Sequence, residues 1–122
     1  MGVRKTVATS LERWGYRVIR AVDGLEAMEV LERQGGDVEL LLTDIVMPGG
    51  LSGLELARRW RLRYPSVGVI LTTGYSSEVH GVEEALGEGM VFLQKPYEIE
   101  QLGDAIRSSL QERAAWVRTR QS

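Results

Sequence analysis

Cysteine is absent from these 122 residues. That excludes disulfides, thiolate metal sites and a cysteine nucleophile, and it suits a reducing cytoplasm. No apolar run approaches the roughly 20 residues of a membrane span. The first residues are polar and Arg/Lys-bearing with no apolar stretch behind them, so no signal peptide is read. The formal net charge is only −2. No basic stripe of the kind that nucleic acid requires is present. What is there is an ordinary globular balance, 43% hydrophobic and 26% charged, enough for one core and against disorder. There is no repeat, low-complexity segment or linker, and residues 1–122 read as a single domain.

Apolar spacing orders the chain. Val3, Val7, Leu11 and Trp14 recur at helical intervals, so 3–14 reads as an amphipathic helix ended by Gly15. Residues 16–21 (Tyr-Arg-Val-Ile-Arg-Ala) read as a short strand. Asp23 is a good N-cap for a second helix whose buried face is Ala27, Val30 and Leu31, closed by Gly35-Gly36. Val38 to Thr43 is nearly all apolar, the mark of a strand covered on both faces. A third helix over 53–64 carries Leu56, Ala57, Trp60 and Tyr64 on one side, and Pro65 stops it. Val67 to Thr72 is a strand, 76–87 a helix broken by Gly81 and Gly87, and 91–94 a last strand. A long helix over about 98–117 turns Leu102, Ile106, Leu110 and Val117 inward. Strands alternating with helices imply βαβ units and a parallel sheet.

Open parallel sheets bind ligands beyond the carboxyl ends of their strands. Three strands here end in chemistry: one in Asp44, one in Thr73-Gly74, one in Lys95-Pro96. A carboxylate can act as a nucleophile toward phosphorus. A hydroxyl, a glycine N–H and an ammonium can hold the transferred oxygens. Singly, each is more often a turn former or a solvated charge; together, each at its own strand end, they argue for a site. After Asp44, the turn Met47-Pro48-Gly49-Gly50 swings the chain away and leaves the carboxylate reachable.

These segments are Leu41-Leu42-Thr43-Asp44-Ile45-Val46-Met47-Pro48 with Gly53 following, Ile70-Leu71-Thr72-Thr73-Gly74, and Phe92-Leu93-Gln94-Lys95-Pro96. In that order they resemble the receiver domain of two-component response regulators and hybrid histidine kinases. The Met47–Leu56 stretch looks most like the hybrid-kinase form. The resemblance implies a flavodoxin-like (βα)5 fold with strand order 2-1-3-4-5. It implies that Asp44 accepts a phosphoryl group from the phosphohistidine of a histidine kinase or histidine phosphotransfer protein. Thr73 and the Gly74 amide would bind phosphoryl oxygens. Lys95 would pair with Asp44 and then with the phosphate. A cis Lys95-Pro96 bond would aim the lysine, and Phe92 would turn inward as Thr73 moves. The last two helices and the strand between them would form the output face. Such a domain is a phosphoacceptor, not an enzyme beyond its own phosphorylation and dephosphorylation.

The family opens with a strand that ends in an acidic pair, whereas Met1-Gly2-Val3-Arg4 already stands at the edge of a helix. The expected consequence is a sheet without its central strand. The gap would then be met by a homodimer, a segment swap or a rearranged sheet. The family's Mg²⁺ site would keep only Asp44 and the Val46 carbonyl, an incomplete set for an ion that demands octahedral oxygens. Asp23 and Glu26 read as capping or surface groups, not substitutes. The alternative function is a degenerate receiver, a protein-interaction or dimerisation module that is not phosphorylated. A hydrolase with an aspartate nucleophile would want a general acid two residues on, where Val46 stands. His80 reads as a surface residue, and Trp14 and Trp60 as core. Trp116 would anchor a partner or a dimer contact, and Arg113, Arg118 and Arg120 suit a helix C-terminus.

Overall fold

The computed structural model describes residues 5–21, 23–45, 52–74 and 89–121, with side chains in the last helix described as far as Leu110. Helix α1 spans Lys5–Arg13 and α2 spans Gly24–Gln34, followed by a 3₁₀ turn at Gly35–Asp37. Strand β1 is Leu40–Asp44, α3 is Gly53–Arg63, β2 is Gly68–Thr73, β3 is Val91–Gln94 and α4 is Ile99–Gln121. The three strands form one parallel sheet in the order β1-β2-β3. Leu40 pairs with Gly68 and Asp44 with Thr72; Ile70 pairs with Val91 and Thr73 with Gln94.

The sheet divides the core in two. Strand side chains alternate between faces, so Val69 and Leu71 join Ala27, Val30, Leu31, Leu56, Ala57 and Trp60 on one side. Ile70 and Leu93 join Leu11, Leu102, Ala105 and Ile106 on the other. β2 is the middle strand and is buried at every residue. Each such aliphatic side chain contributes about 1.5–3 kcal/mol of transfer free energy. α2 starts where Asp23 Oδ1 accepts from the Glu26 amide at 2.8 Å, and α3 starts where Ser52 Oγ accepts from Glu55 at 3.1 Å. Arg61 is buried at 4% exposure, and its guanidinium donates to the carbonyls of Val67 at 2.9 Å and Gly89 at 3.4 Å. It ties the start of β2 to the approach to β3.

Two expectations need correction. The strand expected over 16–21 is not one: the segment has no regular secondary structure and joins no ladder. β1 has β2 on one edge and no described strand on the other, so 16–21 finds no backbone to pair with. The structure therefore shows three strands of a parallel α/β sheet, not four. Trp14 is also not core. α1 ends at Arg13, and Gly15, at φ +93, closes the turn in the left-handed region that glycine alone enters readily. Trp14 therefore sits on the turn, 44% exposed. Trp60, by contrast, is buried at 2% exposure. The Met47–Gly50 turn, Val46, the helix expected over 76–87 with His80, and the side chains of Arg113, Trp116, Arg118 and Arg120 lie outside the described residues.

Candidate functional site

Parallel strands end on the same side, so the register brings three carboxyl ends to one rim. Asp44 is the last residue of β1 and Thr73 the last of β2. Lys95 follows the end of β3, and its amide donates to the Thr73 carbonyl at 2.8 Å, which extends the ladder by one step. The Lys95-Pro96 peptide bond is cis.

α3 is set hard against the acid. The Gly53 amide donates to the Ile45 carbonyl at 2.6 Å. A Cβ built on Gly53 would lie 1.8 Å from the Asp44 carbonyl oxygen, closer than any side-chain carbon tolerates. Only glycine fits there, and the helix start thereby fixes the backbone that carries Asp44.

The carboxylate itself is asymmetric. Lys95 Nζ lies 3.2 Å from Asp44 Oδ1, and the Thr72 hydroxyl donates to the same oxygen. Oδ2 takes no hydrogen bond or ion pair from any described residue. The Asp44 side chain is 24% exposed and that of Lys95 34%. The pair is thus partly exposed and too hydrated to count as a large stabilising term. Thr43, buried beneath it, donates to the Asp44 carbonyl at 3.1 Å.

Of the residues singled out from sequence, Asp44, Thr73, Gly74 and Lys95 meet at this rim. Phe92 lies one strand away, half-buried against the core that holds Leu71 and Met90. Thr73 is 7% exposed, and its hydroxyl makes no hydrogen bond to a described residue. Thr72 was missed. The sequence offers two adjacent threonines, and only the β1–β2 register puts Thr72 directly opposite Asp44, on its face of the sheet. Among the described residues no group of three or more His, Asp or Glu side chains stands ready to hold a metal. No described helix is long and apolar enough to cross a membrane.

The profile of the "Response regulator receiver domain" family matches residues 1–107. The "Response regulator receiver protein CpdR" of Brucella abortus (strain 2308) is 32% identical over 108 residues, 88% of this chain and 88% of that protein. The "Sensor kinase CckA" of the same organism is 31% identical over 110 residues, which is 90% of this chain but only 12% of the kinase. The crystal structure of a response regulator receiver domain protein from Clostridium thermocellum superposes with a TM-score of 0.76 at 24% identity, over 91% of this chain and 87% of that one.

Proposed function

The chain belongs to the response regulator receiver domain family, and on that premise we propose that Asp44 accepts a phosphoryl group from a phosphohistidine. The donor is a histidine kinase or a histidine phosphotransfer protein. The observation that carries this reading is the convergence of Lys95 and Thr72 on Asp44 Oδ1 at the shared carboxyl ends of the strands, with no described residue bonded to Oδ2.

The step is an in-line displacement. Oδ2 attacks phosphorus, the O–P bond forms, and the P–N bond to the donor imidazole breaks. The leaving nitrogen keeps the electron pair and takes up a proton. Lys95 first neutralises the carboxylate and then meets a phosphoryl oxygen as a compact point charge. The Thr73 hydroxyl and the Gly74 amide, at the end of the neighbouring strand, would hold the remaining phosphoryl oxygens. As Thr73 moves toward the phosphoryl group, Phe92 has burial to gain by following it inward, which alters the face used by partners. The product is a switch, read out by binding; turnover is limited to its own phosphorylation and dephosphorylation.

Mg²⁺ serves the family in this chemistry, and it demands near-octahedral oxygen ligation. The described residues offer it one open carboxylate oxygen with an ammonium close by. They do not complete a site, and no step above is routed through the ion. The same shortfall favours a second reading, a degenerate receiver that acts as a protein-interaction or dimerisation module without phosphorylation.

Intact mass after incubation with acetyl phosphate, with and without Mg²⁺, separates the two. The phosphoacceptor reading expects a gain of one phosphoryl group that disappears in Asp44→Asn. No gain under any condition, from a chain with a cooperative melt, leaves the interaction module.

A further inference from the structure

Two donors of different kinds hold Asp44 Oδ1. Lys95 Nζ reaches it at 3.2 Å on a flexible stem, with its side chain 34% exposed. The Thr72 hydroxyl reaches it from β2, the middle strand, at a residue only 4% exposed. Thr72 is the register partner of Asp44, and its carbonyl accepts from the Ile45 amide at 2.9 Å. A β-branched side chain is stiff at χ1, and its hydroxyl stands one carbon from the backbone. Threonine is therefore fixed to the acid, whereas lysine can swing. Burial also keeps water from taking the place of the hydroxyl.

The two donors separate once phosphorus sits on Oδ2. Oδ1 is then the carbonyl oxygen of an acyl phosphate, and Lys95 turns to a phosphoryl oxygen. Thr72 stays on Oδ1. In hydrolysis a water oxygen attacks phosphorus, the P–Oδ2 bond breaks, and Oδ2 keeps the electron pair. Both water protons leave with the phosphate, which then ionises in solvent. A loose transition state returns most of the negative charge to the carboxylate before the new bond is complete. Hydrogen bonds to an ionised acceptor are roughly twice as strong as those to a neutral one. The Thr72 bond thus strengthens between acyl phosphate and transition state, which is the condition under which an interaction speeds a step. In the forward transfer the carboxylate is charged from the start. There the same bond orients Oδ2 and gains no strength.

We propose that Thr72 is a positioning residue that shortens the life of phosphorylated Asp44 by stabilising the departing carboxylate, a role that rests on the phosphoacceptor reading above. The lifetime of the switch is then set inside the sheet, by a residue that touches neither phosphorus nor water.

The test loads the full 122-residue chain with acetyl phosphate, with and without Mg²⁺, removes the donor by desalting, and follows the decay of the added mass. Thr72→Val should keep its phosphoryl group about tenfold longer than wild type, the fold-change of one hydrogen bond passing from a neutral to a charged acceptor. Thr72→Ser keeps the hydroxyl and should decay at close to the wild-type rate. Hydrolysis in isotopically labelled water should put the heavy oxygen in phosphate and none in Asp44. Equal or shorter lifetimes in Thr72→Val would overturn the proposal. So would slow decay shared by Thr72→Ser, which would make disturbed packing the cause. Heavy oxygen in the Asp44 carboxylate would overturn it as well, since water would then have attacked the acyl carbon. A Thr72→Val chain that never loads beside a wild type that does would make the hydroxyl indispensable to attack, and the proposal would fall. A folded wild type that gains no phosphoryl group fails in a different way: the phosphoacceptor reading falls first and takes this role with it.

Discussion

Gly53→Ala should destabilise the protein and disturb Asp44 in one stroke. The new Cβ would stand 1.8 Å from the Asp44 carbonyl oxygen, 2.7 Å from its carbonyl carbon and 3.1 Å from the Ile45 Cα. All three are backbone atoms, so no rotamer change relieves the clash. Overpacking of this kind costs about 1–3 kcal/mol, and backbone opposition places it at the upper end. Alanine returns up to about 1 kcal/mol in helix propensity. The net loss is then about 2 kcal/mol. Unfolding entropy of about 2.1 cal/mol/K per residue, over 122 residues, means that each kcal/mol shifts the midpoint by about 4 °C. A fall of about 8 °C in thermal melting is expected, with shifted amide resonances at Asp44 and Ile45. Gly103→Ala is the control of opposite sign. It sits within α4, and its nearest neighbour would be the Trp14 ring at 3.6 Å, an ordinary contact. Propensity alone should raise its midpoint by up to about 4 °C. A Gly53→Ala chain that melts at or above wild type would refute the close packing of α3 on the acid.

Arg61→Met keeps the aliphatic stem and removes both guanidinium bonds to carbonyls. Buried carbonyls left unmet should cost about 2–4 kcal/mol in urea denaturation, and a loss under 1 kcal/mol would mean water replaces the guanidinium. Asp23→Ala removes the cap on α2 and should cost about 1 kcal/mol, with Asp23→Asn close to wild type in the same melts. Thr72→Val removes the hydroxyl that holds Asp44 Oδ1 without changing shape. Labelling of Asp44 by acetyl phosphate should slow about tenfold, the rate equivalent of one hydrogen bond to a charged group, while Thr72→Ser retains most of the rate. Equal labelling of the valine variant would show that Lys95 alone orients the carboxylate.

Much of this was legible before any coordinates. Asp44, Thr73 and Lys95 each stand where an apolar run gives way to a turn, and alternation of helix with strand implies parallel strands that share one rim. Leu56, Ala57, Trp60, Leu102 and Ile106 fell on their buried faces because helical period is a local property. Two local patterns misled. Residues 16–21 carry strand-like residues, but a strand exists only when another backbone accepts its hydrogen bonds, and none is paired there. Trp14 continues the apolar spacing of α1, yet Gly15 turns the chain in the left-handed region and leaves the indole on the surface. Arg61 was invisible as a core residue because its partners, the carbonyls of Val67 and Gly89, come from two separate connections.

The sequence by itself determined three of the strands, the helices around them, the parallel sense of the sheet and the strand ends at Asp44, Thr73 and Lys95. Those follow from residue periodicity and from the handful of residues that stop a strand or a helix. Tertiary structure decided the rest, because register and close approach are relations between distant segments. Pairing Asp44 with Thr72 selected which of two adjacent threonines reaches the carboxylate. The approach of α3 made Gly53 the one residue type that fits beside it. Whether residues 16–21 join the sheet was decided there too, because a strand exists only with a partner backbone, and among the described residues they pair with none.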